Sequence, residues 1–243
     1  MSDPVRVAMW SGPRNISTAM MRAWENRPDT VVVDEPLYAA YLARTGLDHP
    51  VRDEVIASQP TDIETAVAEL SAPLPGGVHV HYAKHMAHHV SRDMDLGWTL
   101  AFRNVLLIRD PAEVVASYVR ARETCEPEDI GVPQQGRLME LWDRHALDVP
   151  IVDATDFLRA PEAHLRWLCA WLGIDFTSRM LSWPPGPRDS DGVWAPHWYA
   201  AVRQSTGFEP WRPREANLSE HDAAVAEACR PVYEALYARR VRV

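Results

Sequence analysis

The sequence predicts a three-layer α/β fold, with a central, mostly parallel sheet flanked by helices and an irregular, aromatic-rich C-terminal region. Three observations predict it. Short β-prone runs alternate with stretches of helical periodicity over roughly the first 170 residues. The run VLLI at Val105–Ile108 is unbroken by polar residues, as in a parallel strand covered on both faces. Beyond Gly173 the alternation dissolves into SWPPGPRDSDGVWAPHWY, rich in proline and tryptophan.

Each element has its own warrant. Val5–Trp10 (VRVAMW) reads as a strand, and a Ser-Gly-Pro turn leads into NISTAMMRAWEN. There Ile16, Met20, Ala23 and Trp24 fall at the i, i+4, i+7, i+8 spacing of a buried helical stripe. A second strand, Val31–Asp34, ends at Glu35-Pro36 before an apolar helical stretch, Leu37–Ala43. Thr61–Leu70 reads as a helix with a Thr cap, and Pro73–Gly77 breaks it ahead of the strand VHVHYA. After Val105–Ile108, Asp110 and Pro111 supply a cap and a first-turn residue for a helix running to about Arg122. QQGRLMELWDRHAL predicts a helix, PIVDA a fifth strand, PEAHLRWLCAWLG an amphipathic helix ending at Gly173, and Ser219–Arg239 the last helix.

Composition narrows the class. With 243 residues, 47% apolar and 24% charged, residues 1–243 suit one globular domain. No stretch approaches the roughly 18 apolar residues of a membrane span, and MSDPVRVAMWSG lacks the features of a secretory signal, so a cytoplasmic protein is expected. A net charge of −9 argues against broad binding of nucleic acid or anionic membrane, so an anionic ligand needs a local basic pocket. Lys84 is the only lysine among the 25 basic residues, the others being arginine. Cys125, Cys169 and Cys229 are odd in number and never in a CxxC pair, which predicts buried thiols rather than disulfides or zinc ligands.

The turn after the first strand carries the first chemical signal. SGPRNIST (Ser11–Thr18) lies where a helix N-terminus favours an anion, with Arg14 and the Ser17 and Thr18 hydroxyls as further donors. It has neither the second glycine nor the lysine of GxxxxGK[ST], which disfavours nucleotide triphosphate hydrolysis. A second segment, LLIRDPAEVVASYVRAR, places Arg109 at a strand's carboxyl end and Ser117 eight positions on, about two helical turns into the next helix, where both can touch one phosphate.

The loop Ser11–Thr18 resembles the 5′-phosphosulfate-binding loop of sulfotransferases that use 3′-phosphoadenosine 5′-phosphosulfate (PAPS), although Ile16 stands where many members carry glycine. The Arg109–Ser117 segment resembles the same family's 3′-phosphate-binding segment. The resemblance implies a P-loop-like fold and a PAPS site drawn from Gly12, Arg14, Asn15, Ser17, Thr18, Arg109 and Ser117, with adenosine 3′,5′-bisphosphate as product. A late family loop puts Trp194 near the adenine or bisphosphate, although the usual Arg-Lys-Gly is missing. Lys84 followed by His85 resembles the catalytic region of cytosolic members, though there a residue commonly separates the two.

The stretch His79–Val90 holds five of the ten histidines. His79 and His81 on a strand face, with His85, His88 and His89 on a helical face, make a metal site conceivable. The absence of HExxH and of a nearby carboxylate ligand favours structural or catalytic histidines and no metal. In the implied reaction Arg14 and Lys84 stabilise transferring charge, and the base is His85 or Glu35, with His88 or His89 as alternatives. Trp183, Trp194, Trp198, Tyr199 and Trp211 are expected to form an acceptor pocket or lid, with packing the competing role. The expected partner is a small-molecule acceptor carrying a hydroxyl or, second, an amine; a homodimer is left open. Two other readings stand beside this one, a nucleotide or small-molecule kinase of related fold and a catalytically silent binder of adenosine bisphosphate.

Overall fold

A computed structural model of the chain describes residues 4–120, 124–213 and 216–243. Five strands, β1 (Val5–Ser11), β2 (Thr30–Asp34), β3 (Val80–Met86), β4 (Arg103–Ile108) and β5 (Ile151–Asp153), form one sheet in the order β2-β3-β1-β4-β5. Every neighbouring pair is parallel. The expected α/β layering is therefore present.

Period-two alternation along the strands builds a core on each face. Ala8 and Trp10 of β1, Ala83 of β3 and Leu106 and Ile108 of β4 point to one side. There they meet α4 (Ile63–Ser71), α5 (Pro111–Tyr118), α6 (Val132–Arg144) and α11 (Glu220–Ala238). Val7, Met9, Tyr82, Val105 and Leu107 point to the other, against α1 (Ser17–Glu25) and α8 (Pro161–Leu172). Because α1 follows β1 on one face and α5 follows β4 on the other, a crevice opens between the carboxyl ends of β1 and β4, the place where open parallel sheets bind ligands.

Local chemistry explains the boundaries. Asp110 caps α5 through the amide of Ala112, with Pro111 in the first turn. Gly173, at φ +71°, ends α8 in the left-handed conformation that glycine adopts without strain. The cap of α4 is Asp62, not Thr61, since the Asp62 carboxylate accepts from the Thr65 amide. Helix α5 stops at Tyr118, short of its expected end: residues 119–120 form a turn, and residues 121–122 lie outside the described residues. Strand β3 starts two residues later than expected and runs on through His85 to Met86, which moves His79 off the strand and His85 onto it.

Three further helices precede the C-terminal region's own: α2 (Tyr38–Thr45), α3 (Arg52–Ser58) and α7 (Ala154–Arg159). The periodicity of α3 and α7, seven and six residues long, is too short to register in sequence. The C-terminal region holds α9 (Ala195–Trp198) and α10 (Ala200–Gln204). Cys125, Cys169 and Cys229 are free and buried. No helix among the described residues is long and apolar enough to cross a membrane.

Candidate functional site

The crevice holds a cluster of cations. Arg14, in the turn between β1 and α1, donates from Nε to Ser117 Oγ at 3.0 Å. Arg109, one residue past β4, donates to the Arg14 carbonyl at 2.6 Å, and two of its N–H groups reach one oxygen of Glu113 at 3.0 and 2.8 Å. Arg14 and Arg109 are thus parts of one site. Burial, with the like charges of Arg109 and Arg120, holds the Arg14 pKa below the usual arginine value. Crowded guanidiniums of this kind are relieved by an anion.

The backbone is shaped for the same purpose. Arg14 has φ +54°, a left-handed conformation that a non-glycine residue adopts only where its surroundings impose it. Asn15 holds the turn from both sides, accepting from the Ile16 amide at 2.8 Å and donating to the Leu107 carbonyl at 3.1 Å. Ile16 occupies the N-cap of α1 with no side-chain cap, so the helix's first amides and the Ser17 and Thr18 hydroxyls are not consumed by capping. Gly12 meets the backbone of the next segment: a Cβ there would lie 2.3 Å from the Ile130 carbonyl oxygen. Its smallness admits that neighbour.

A second cluster lies beside the first, on the α1 side of the sheet. Asp34 and Lys84 are register partners on β2 and β3. Lys84 Nζ lies 2.7 Å from Asp34 Oδ1, 2.8 Å from Glu35 Oε1, 2.5 Å from the Tyr199 hydroxyl and 3.4 Å from Thr18 Oγ1. Tyr199 in turn donates to Asp34 Oδ2 at 2.7 Å and accepts from Trp194 Nε1 at 3.1 Å. Burial alone would lower the Lys84 pKa, but the two carboxylates outweigh it and raise it well above the usual lysine value. Glu35 sits at φ +44° and is raised above the ordinary carboxylate range by burial, against the pull of Lys84 and with the push of Asp34. Its other oxygen, Oε2, faces His89 Nε2 at 3.9 Å.

Alternation separates Lys84 from its sequence neighbour. His85 points to the opposite face of the sheet, stacked on Trp10 at 4.2 Å and beside Trp98, 1% exposed and with neither ring nitrogen hydrogen-bonded. Burial pushes its pKa down to about 3. The pairing of Lys84 with His85 at one reacting centre is therefore corrected: a two-residue period cannot aim adjacent strand residues at the same point. His89 is the histidine brought to Glu35, with its ring stacked between Tyr38 and Tyr41 at 4.8 and 4.7 Å. Among the described residues no three His, Cys, Asp or Glu side chains converge as a metal-ligating group.

The aromatic residues of the C-terminal region divide. Trp194, 1% exposed, packs edge-on against Tyr38 and orients Tyr199, so it stands at the lysine cluster. Trp198 lines a cavity of about 670 Å³ with Asp48, His49, Val51 and Arg52. Trp183 packs on Phe208 in the α1-side core, and Trp211 lies under the Arg159 guanidinium, so these two take the packing role. Asp34 was not singled out in the sequence as a member of the site, and Tyr199 was expected only in an acceptor pocket or lid, not on Lys84. Asp34 had a visible signal, an acidic residue at a strand's carboxyl end; Tyr199 had only its place in an aromatic-rich stretch.

Beyond β1 and β4 of this parallel sheet two arginines meet beside a buried lysine, on an α/β fold of the P-loop-like class. Residues 5–240 match the family described as Sulfotransferase domain, and the chain belongs to that family. In overall shape it is similar to a sulfotransferase from Alicyclobacillus acidocaldarius, with TM-score 0.55, 15% identity and coverage of 99% of this chain and 98% of that one. It is likewise similar to the sulfotransferase domain of the Synechococcus PCC 7002 olefin synthase, with TM-score 0.54, 17% identity and coverage of 94% and 95%. Among curated proteins it is 35% identical to the Arabidopsis thaliana branched-chain-amino-acid aminotransferase-like protein 1 over 241 residues, 97% of this chain and 42% of that protein. The chain thus spans about two fifths of that relative's length.

Proposed function

We propose that the chain transfers a sulfuryl group from PAPS to a hydroxyl, or less readily an amine, of a small molecule. The observation that carries this reading is the meeting of Arg14, Arg109 and Ser117 in one crevice, with Lys84 of the second cluster 3.4 Å from Thr18. Adenosine 3′,5′-bisphosphate has two phosphates, and the site offers two sets of donors. Arg109 and Ser117 suit the 3′-phosphate, and Arg14, expected from the sequence at the 5′-phosphosulfate, joins them because its Nε donates to Ser117 Oγ. The α1 amides, Ser17, Thr18 and Lys84 suit the phosphosulfate, with Asn15 and Gly12 fixing the turn.

In the transfer, the acceptor oxygen bonds to sulfur as the bridging S–O bond breaks and its electron pair leaves on the 5′-phosphate. Glu35 takes the acceptor's proton, its raised pKa suiting it to that role at neutral pH better than an ordinary carboxylate. Trp194 serves through Tyr199, which its indole N–H orients.

The test is sulfuryl release from radiolabelled PAPS across a panel of alcohols and amines. Glu35→Gln is expected to lower the rate by about 10²- to 10⁴-fold, the range of a positioned base. In the parent chain the rate should climb with pH through a midpoint above the usual carboxylate range, because the base works deprotonated. Phosphoryl transfer from ATP in place of sulfuryl transfer would favour the kinase, and PAPS binding without product on any acceptor the silent binder.

A further inference from the structure

Lys84 carries three N–H donors. In this structure all three have partners within the cluster: Asp34 Oδ1, Glu35 Oε1 and the Tyr199 hydroxyl, at 2.7, 2.8 and 2.5 Å. Thr18 Oγ1 is a fourth neighbour at 3.4 Å, on the side of the β1–α1 turn. An oxygen arriving beside Thr18 gains a hydrogen bond from Lys84 only when one of the three partners yields.

The partners are unequal. Asp34 and Glu35 are buried carboxylates, and parting either from the ammonium leaves an uncompensated buried charge. Tyr199 is neutral. When it releases Lys84 it keeps its bond to Asp34 Oδ2 at 2.7 Å and the Trp194 N–H at 3.1 Å, so no polar group is orphaned. It also stands on a segment fixed independently: Asp191 pairs with the buried Arg22 of α1, and the Gly192 amide donates to Asp34 Oδ2 at 3.3 Å. The competing hydroxyl is therefore held in place rather than free to swing away.

We propose that Tyr199 is a specificity-determining residue, the partner that Lys84 exchanges for a sulfuryl oxygen of the donor and takes back once the sulfuryl group has left. The proposal rests on the sulfotransferase reading above and adds to it a named competitor. Its hydroxyl lowers the affinity for PAPS relative to the desulfated bisphosphate, which has no sulfuryl oxygen to claim Lys84. The effect limits how tightly the donor is held without weakening the arginine-lined site.

Tyr199→Phe removes the competing oxygen and keeps the ring, whose centroid lies 4.8 Å from Nζ. The experiment is titration calorimetry of the full chain and this variant with adenosine 3′,5′-bisphosphate and with PAPS, without acceptor. The expected result is bisphosphate affinity within about twofold of the parent and PAPS affinity raised about tenfold, the worth of one hydrogen bond to a charged group. A variant whose ratio of the two affinities is unchanged or lower overturns the proposal, since that is what a merely structural or orienting tyrosine gives. If the variant does not fold, crystals of the parent chain decide. The Lys84–Tyr199 contact is expected to open with PAPS and stay closed with the bisphosphate, and a contact closed in both overturns the proposal. A parent chain that binds neither compound removes the sulfotransferase reading and the proposal together, whereas one that binds both and shows no change in the variant removes the proposal alone.

Discussion

His85 shows how position on a strand decides what a titratable side chain does. It lies between Trp10 and Trp98 with both ring nitrogens unpartnered, and burial holds its pKa at about 3; on the same face, burial and Arg6 hold His81 at about 4. The unfolded chain protonates both near pH 6.5, so it binds more protons than the fold as pH falls. Stability is therefore complete above about pH 6.5 and is lost as pH drops toward 4, by about 2 kcal/mol per histidine at pH 5. Thermal melts from pH 7 to 5 check this. In His85→Leu the loss at pH 5 should shrink by that histidine's share, about 2 kcal/mol, and an unaltered pH slope would mean that His85 titrates normally in the fold. Sequence could supply the histidine cluster but not its division between two faces, because that depends on β3 continuing to Met86, past the expected strand end.

Among the elements, the β1–α1 turn and the turn before α6 are fitted to each other. Gly131 has φ +75°, and a Cβ built on it would lie 3.4 Å from Gly12 Cα; one built on Gly12 would strike the Ile130 carbonyl. Gly12→Ala has no flexible side chain to push aside, so a backbone must move. Overpacking of this kind costs about 1–3 kcal/mol, and the displaced turn should carry Arg14 off Ser117. Calorimetry with the bisphosphate, beside a thermal melt, is expected to show both a lower melting temperature and weaker binding. An alanine variant with parental affinity would show that the turn does not need this contact. The alternation of strands with long helices was legible in sequence because the helical period repeats several times and the strands are apolar runs between turns. The close approach of two turns leaves no periodic trace, and the short helices α3 and α7 complete too few turns to register.

For the whole molecule, the decisive feature is that two segments nearly a hundred residues apart meet at one crevice. The sequence contained both, Arg14 with its hydroxyl run and Arg109 eight positions before Ser117, but it presented them as opposite ends of a ligand. The structure joins them, with Arg14 turned onto Ser117 itself. The parallel order of β1 and β4 explains the meeting, since it sets their carboxyl ends side by side. The C-terminal region was legible only as aromatic-rich. Its contribution comes through tertiary contacts, Asp191 on Arg22 and Tyr199 on Asp34, between residues more than 160 positions apart.

The most direct test of this account is the affinity of the purified chain for adenosine 3′,5′-bisphosphate against ADP and ATP, repeated with Arg14→Ala and Arg109→Ala. The account predicts that the parent chain prefers the bisphosphate. Each substitution should weaken it by about 10- to 100-fold, the loss of charge-assisted hydrogen bonds to a phosphate, with the melting temperature nearly unchanged. Preference for ATP, or bisphosphate affinity indifferent to both arginines, would contradict it.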